Sequence, residues 1–522
     1  MNKIDINKLT IEEKIGQMIG LAFYGAKFSE ELRMQIEDFK VGLVILFKDN
    51  CLNPKQIFNL NKEINKHAAI PPFISLDQEG GMVARVTKGI VQSPGAMAIS
   101  AGSSLDDTYH LAYNMGKELV KLGFNFNFAP DADVNNNPAN PVINVRSYSE
   151  KPQVVADYML AATKGYNDAG MMTSAKHFPG HGDTAVDSHL GLPIVDFDVE
   201  RLEKVELVPF VEGIKHNNPG FMASHVMYTK IDDEYPATLS NKIIQKFLRE
   251  HLGYDGLVVT DSLTMKAVWG RYGMEEVVYR TFNSGCDIML LCGARDINMQ
   301  KEFYNTAVRL AKEGKIDHKL IDNSVRRILK YKEIYCQEMA DDFSDIEKDL
   351  LNKESIALSK EVMNRAVTLF KDENKLLPIN KEDKVLVVFP IIKVVTLVEN
   401  SDNTLNSLAE YLPFKVDKTY ISLEVTDEEI NKVLELIPNY NKIIFCSYNA
   451  GMYLKQKELA DKIEANKLII CALRTPYDCD ILKASTYITA YEASELSFEA
   501  LALALIGKIK PTGKCPVTIN IK

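Results

Sequence analysis

The chain has 522 residues, 46% of them hydrophobic, and a formal charge of −10 from 71 acidic against 61 basic side chains. That length exceeds what one hydrophobic core usually serves, so two domains are expected. The acidic balance, without a long basic run or a basic-aromatic stripe, argues against a nucleic-acid partner, and no apolar stretch is long enough to span a bilayer.

Eight cysteines lie mostly inside apolar runs, and none forms a Cys-x-x-Cys pair. They read as buried free thiols of a reducing compartment rather than as a disulfide framework or a zinc ribbon. The opening Met1-Asn2-Lys3-Ile4-Asp5-Ile6 lacks the uninterrupted apolar core of a signal peptide, so a soluble cytoplasmic protein is expected.

Through the first 300 residues short apolar, β-branched runs alternate with stretches of helical period. The runs are 41–47, 72–76, 124–129, 171–175, 220–223, 256–260 and 287–291, with 15–23 as a further candidate strand, and helices such as 107–122 and 275–283 separate them. This is the rhythm of repeated βα units. Polar residues cluster where the runs stop: Asp77-Gln78-Glu79, Asp131 and Asp133, Lys176-His177, Ser224-His225 and Asp261-Ser262. In a parallel (β/α)8 barrel of the TIM type the C-terminal strand ends converge on one mouth, where active sites are built.

From about 317 to 371 the chain is charged and helix-forming, with Asp341-Asp342-Phe343-Ser344-Asp345 as a break. The expected division is therefore a barrel domain over 1–345 and a C-terminal domain over 346–522 that begins with a linker helix. In the latter the runs 384–390, 442–447, 467–473 and 486–491 alternate with helices such as 454–465 and 496–506, which suggests a smaller three-layer α/β/α sandwich. No Gly-x-Gly-x-x-Gly or phosphate-loop pattern is present, and no cofactor is expected.

Residues 176–189 hold three histidines, two aspartates, a lysine and two glycines in fourteen positions. In Asp187-Ser188-His189 a carboxylate two residues before the histidine can orient the ring and stabilise its charge, as proton transfer requires; a solvated surface loop is the plainer alternative. His177, His181, Asp183 and His189 have no helical face to give them zinc geometry, so no metal is expected. Asp261 ends an apolar run, which suits either a helix cap or a nucleophile in a barrel mouth. A carboxylate nucleophile with a separate proton donor is the minimal set for hydrolysing a glycoside with retention. Asp77, Glu79 and Arg85 flank two glycines that let backbone approach a ligand, and Arg146 offers a guanidinium for a hydroxyl or an acetamido oxygen. Lys176 and His177 follow an apolar strand, where a buried lysine is costly unless paired.

In order, Asp77-Gln78-Glu79-Gly80-Gly81, Asn125-Phe126-Asn127-Phe128-Ala129-Pro130, Asn135-Asn136-Asn137-Pro138 with Pro141-Val142-Ile143-Asn144-Val145-Arg146-Ser147, the 176–189 segment, Pro236-Ala237-Thr238-Leu239-Ser240 and the 260–266 segment resemble the catalytic domain of glycoside hydrolase family 3, in its NagZ-like β-N-acetylglucosaminidase branch. Leu376-Leu377-Pro378, Arg474-Thr475-Pro476-Tyr477-Asp478 and Pro511-Thr512-Gly513-Lys514 extend the likeness to the family's two-domain form. The resemblance implies an exo-acting, retaining β-N-acetylhexosaminidase with Asp261 as nucleophile and His189, paired with Asp187, as general acid/base. It implies that Asp77, Arg85, Arg146, Lys176 and His177 hold the terminal N-acetylglucosamine, with Asp77 on the distal hydroxyls. The substrate would be a saccharide containing that sugar: a muropeptide in peptidoglycan turnover, a chito-oligosaccharide or a glycan. A phosphorylase giving sugar 1-phosphate, a β-glucosidase and a non-catalytic sugar-binding protein are the alternatives. Met82, Asn144 and Tyr148 depart from the residues common in the family, and they bear on leaving-group preference more than on reaction class.

Overall fold

The computed structural model describes residues 4–184, 191–392 and 406–521. In the first part of the chain the strands are β1 (Ile19–Ala22), β2 (Leu43–Ile45), β3 (Phe73–Leu76), β4 (Phe126–Asn127), β5 (Met172–Thr173), β6 (Ala175–Phe178), β7 (Ile194–Val195), β8 (Gly220–Ala223), β9 (Met227–Tyr228), β10 (Leu257–Thr260) and β11 (Met289–Leu291). Parallel pairing runs β11-β1-β2-β3-β4-β5 and β10-β8-β6. Parallel bridges Asp131↔Lys176 and Val259↔Ile288 join the two runs. Because β5 and β6 are two halves of one strand interrupted at Ser174, the ring has the eight positions of a (β/α)8 barrel, with β7 and β9 paired outside it.

The barrel strands are buried along their length and read as short apolar blocks rather than as alternating patterns, as expected for strands covered on both faces. The candidate strand over 15–23 is a correction. Its first part belongs to the helix Ile11–Gln17, started by a capping box between Thr10 and Glu13, and only Ile19–Ala22 is strand. Helix end and strand are both buried, so the apolar run hides the change of period. Lys176 and His177 likewise lie inside β6 rather than after it.

The second sheet has the order β12-β17-β16-β15-β13-β14, from β12 (Thr368–Asp372), β13 (Val385–Pro390), β14 (Asp417–Ile421), β15 (Lys442–Ser447), β16 (Leu468–Ala472) and β17 (Thr486–Thr489). All neighbours are parallel except β12 with β17. Alternate residues serve opposite faces: Val387, Ile444, Cys471 and Ile488 join one core, Leu386, Ile443, Phe445 and Ile470 another, so the sheet is the middle of three layers. The edge strands β12 and β14 escaped the sequence reading because they are only partly covered and carry charge, as in Lys371, Asp372 and Lys418.

The core on the Val387 face also takes in Met97, Ala98, Ala101 and Val145 from the barrel's loops. The helix Lys353–Ala366 packs on the helix Ala96–Gly102. The second sheet is thereby buttressed against the loops that leave β3 and β4, which are the loops that build the site.

Candidate active site

Asp77 is the first residue after β3, and the loop behind it is shaped by the buried Gln78. The Gln78 carbonyl Oε1 accepts the N–H groups of Arg85 (2.8 Å) and Val86 (3.1 Å), its Nε2 donates to the Val86 carbonyl (3.1 Å), and its own N–H donates to Asn127 Oδ1 (2.9 Å). Gly80 and Gly81 turn the chain back at φ +103° and +55°, values that favour glycine. The Arg85 guanidinium then reaches Asp77 Oδ2 at 3.1 Å.

Lys176, on β6 and 2% exposed, is the centre of this network. Its Nζ lies 2.9 Å from Asp77 Oδ1 and 2.7 Å from Glu79 Oε1. Arg146 holds Glu79 with two bonds, Nε to Oε2 at 3.0 Å and the terminal nitrogen to Oε1 at 2.8 Å. A buried lysine left unpaired would cost several kcal/mol, on the order of the desolvation of one ion; two carboxylates offset that here. Burial works to raise the pKa of Asp77, but the charges of Lys176 and Arg85 outweigh it and hold the carboxyl below its ordinary value. Glu79 is lowered in the same way by Arg146 and Lys176 against burial. Burial alone would discharge Lys176, yet Asp77 and Glu79 raise its pKa. At neutral pH the network is fully charged, and its orientation is fixed before any ligand arrives.

His177 is set by Asp133, whose Oδ2 is 2.7 Å from the ring Nδ1. Asp133 Oδ1 accepts the backbone N–H groups of His181 (2.6 Å) and His177 (3.2 Å). Despite burial, His177 keeps the Asp133 pKa low, whereas burial and repulsion by Asp133 raise Asp131 well above the carboxylate range. Among the described residues, Asp131, Asp133 and His177 have ligand atoms within 4.8 Å of one another, close enough to gather at a metal. The Asp133 oxygens are already taken up by a ring nitrogen and two backbone donors, which is the pattern of a carboxylate that orients a histidine.

The ring of His181, buried and edge-on to His177 at 5.7 Å between centroids, also lines the cavity. Its Nδ1 is 2.7 Å from Thr184 Oγ1. Burial, with the neighbouring charge of His177, pushes its pKa down to about 4, so it is neutral under physiological conditions.

Asp261 is the residue after β10. Its N–H donates to the Ala223 carbonyl (2.9 Å) and its Oδ1 accepts the Ser262 N–H (2.6 Å). The fully buried His225 bonds the Ser262 carbonyl with Nε2 (2.8 Å) and Thr238 Oγ1 with Nδ1 (2.7 Å), while the Ser262 hydroxyl accepts the Gly293 N–H at 3.0 Å. The turn that presents Asp261 is thus pinned to β8 and to the residues after β11.

Asp77, Arg85, Arg146, Lys176, His177 and Asp261 line one cavity of about 300 Å³, over an apolar floor of Ile45, Phe128, Met222 and Leu290. That is at the small end for ligand pockets, which span roughly 300–1,000 Å³. Six expected site residues from four segments, those at β3, β4, β6 and β10, therefore converge. Asp187 and His189 lie outside the described residues. His181 and Arg295 were given no part in holding the sugar, and Glu79 and Asp133, though noted at strand ends, were given no specific role. Glu79 and Asp133 sit two residues from Asp77 and Asp131 at the ends of their strands, a signal the sequence carried. Arg295, held by Asp49 at 2.7 Å and stacked on the Phe47 ring at 4.5 Å, needs the fold to bring it to the rim. The departure Met82 packs against the second sheet's core.

Residues 10–331 match the glycosyl hydrolase family 3 N terminal domain. The chain is 31% identical over 552 aligned positions to beta-hexosaminidase A of Pseudoalteromonas piscicida, covering 94% of this chain and 91% of that protein. It is 36% identical to a beta-hexosaminidase of Alkalilimnicola ehrlichii, over 53% of this chain and 80% of that protein. The solved structure of a glycoside hydrolase family 3 beta-N-acetylglucosaminidase from Paenibacillus sp. str. FPU-7 superposes with a TM-score of 0.91 at 34% identity, covering 98% of this chain and all of that one.

Proposed function

The chain belongs to glycosyl hydrolase family 3, and on that premise we propose that it is an exo-acting β-N-acetylglucosaminidase that releases terminal β-linked N-acetylglucosamine with net retention. The observation that carries this reading is the cavity itself: a one-ring space lined both by Asp261 and by Asp77, Lys176 and Arg146, whose charges are tied together through Glu79. The fixed charges of the network suit the hydroxyls of one sugar. Arg85, through Asp77, and Asp133, through His177, hold those partners in place.

In the proposed reaction Asp261 attacks the anomeric carbon and the glycosidic bond breaks as the His189 imidazolium protonates the departing oxygen. Water, deprotonated by the now neutral His189, then displaces Asp261 and frees the sugar. Asp187 stabilises the imidazolium. Supporting that assignment are the order Asp187-Ser188-His189 and the position of His181, eight residues before His189, on the cavity wall. Neutral His181 complements this arrangement, since it neither competes for the proton nor repels the imidazolium.

Among the described residues no helix is long and apolar enough to cross a membrane. The eight free cysteines support our placing the enzyme in a reducing compartment such as the cytoplasm. The test is turnover of an aryl N-acetyl-β-glucosaminide, followed by NMR in phosphate buffer. β-Configured free sugar as first product supports the reading, α-configured sugar overturns retention, and sugar 1-phosphate makes the enzyme a phosphorylase.

A further inference from the structure

Tyr24 is 62% exposed and stands at the outer end of a row of stacked side chains. The Arg295 guanidinium lies over both the Tyr24 ring, 5.0 Å from its centroid, and the Phe47 ring, at 4.5 Å. The Arg85 guanidinium comes next, 5.4 Å from the Phe47 centroid, and reaches Asp77 at 3.1 Å. The strand order of the barrel makes this row. Arg295 follows β11, Tyr24 follows β1, Phe47 follows β2 and Arg85 follows β3, and these strands are neighbours in the sheet. Their C-terminal loops therefore meet at the mouth. Phe47, Arg85 and Arg295 line the sugar cavity, and Tyr24 stands one layer further out. The row begins at a carboxylate of the sugar network and ends in solvent.

A single exposed aromatic ring is ordinary on a protein surface. Tyr24 differs in that the backbone on both sides of it is fixed. The Phe23 carbonyl accepts Arg295 Nη1 (3.0 Å) and the Nδ2 of the buried Asn50 (3.2 Å), and the Gly25 carbonyl accepts the same Nδ2 at 2.6 Å. Arg295 Nη1 also bonds both oxygens of Asp49, at 2.8 and 2.7 Å. The cation backs the ring and Asp49 neutralises the cation, so the row offers a held, uncharged aromatic surface at its outer end. The apolar C–H face of a pyranose suits such a surface, because a ring already in place loses little freedom when it is stacked upon.

Building on the glycosidase reading above, we propose that Tyr24 is a specificity-determining residue: its ring is the platform for the first sugar of the leaving group, and Arg295 is the wall shared by that sugar and the one in the cavity. The platform reads the presence of a ring rather than the identity of its substituents, since an aromatic face makes no directional bond to a hydroxyl or a carboxylate.

The experiment compares kcat/KM on methyl N-acetyl-β-glucosaminide and on chitobiose for the full-length wild type, Tyr24→Ala and Tyr24→Phe. Both leaving groups are alcohols that need protonation to depart, so the demand on the acid is shared and the ring is what differs. Tyr24 is exposed, and Arg295 keeps its bonds to Asp49 and Phe23 without it, so both variants should fold. Tyr24→Ala should cut the ratio of chitobiose to methyl glycoside by about fivefold, the worth of one stacked ring, and Tyr24→Phe should hold that ratio within about twofold of the wild type. An unchanged ratio in Tyr24→Ala, an equal loss on both substrates, or a ratio in Tyr24→Phe as low as in Tyr24→Ala would each overturn the platform. A wild type inactive on both substrates would instead sink the glycosidase reading on which the platform rests.

Discussion

Glu492 Oε2 accepts the backbone N–H of Gly95 at 2.6 Å, across 397 positions of sequence. The carboxylate sits between two glycines of the loop that carries Asp77 and Arg85: a Cβ added at Gly81 would lie 2.7 Å from Oε2, and one at Gly95 3.1 Å. Its other oxygen accepts the Ser494 hydroxyl at 2.6 Å. A residue that follows β17 of the second sheet therefore props the backbone behind the sugar-holding network.

The burial of Glu492, against the opposing pull of its bonds to Ser494 and Gly95, makes stability depend on pH. Burial moves Glu492 from its ordinary 4.5 up to about 7. The folded chain thus holds more protons than the unfolded chain between those values, and this group's contribution to stability falls as pH rises through the window and is level above it. Glu492→Gln keeps an acceptor for the Gly95 N–H and cannot titrate. It should gain on the wild type by on the order of 3 kcal/mol between about pH 4.5 and about pH 7.5, read by denaturant melts at several pH values. Parallel pH profiles for the two proteins would show that Glu492 does not titrate in this window.

Asp261→Ala should remove turnover on every substrate, aryl glycosides included, because a good leaving group cannot replace a missing nucleophile. Loss of about 10⁴-fold or more in kcat is expected, with the fold unchanged by circular dichroism, since the turn is held by His225 and Ser262 rather than by the carboxylate alone. Substantial residual turnover would point to attack by the substrate's own acetamido oxygen.

His189→Ala should slow a natural disaccharide by at least about a hundredfold more than an aryl glycoside whose phenolate departs without protonation. Equal losses on both substrates would take His189 out of the acid role.

The barrel and the site were legible in the sequence to different depths. Apolar runs ending in Asp77 or Asp261 identify strand ends, because a parallel strand buried on both faces must be apolar and the polar residue after it must emerge at the mouth, whereas Lys176 lies inside its strand. Lys176 announced a partner by its burial, but whether that partner was Asp77, Glu79 or both depends on how Gln78 folds its loop, which is a matter of side-chain hydrogen bonds rather than periodicity. The β12 and β14 edges were hidden by their charge. The propping of Gly95 by Glu492 was illegible because its two ends lie in different sheets and nothing local in either segment marks them as partners.

Replacing Lys176 by methionine separates binding from stability. The substitution leaves Asp77 and Glu79 buried with less positive charge between them, and removal of one partner from a buried ion network typically costs about 3–5 kcal/mol. Lys176 and Arg85 are what hold Asp77 below its ordinary pKa, so losing the lysine raises that pKa, and the acid limb of kcat/KM should move to higher pH. Adding Glu79→Gln removes the surplus negative charge: the double variant Lys176→Met/Glu79→Gln should recover much of the stability lost by the single one, while KM stays high because the cation that grips the sugar is still missing. Recovery of both stability and KM would mean that Lys176 serves only to neutralise Glu79, and that the sugar is held by Asp77 and the arginines alone.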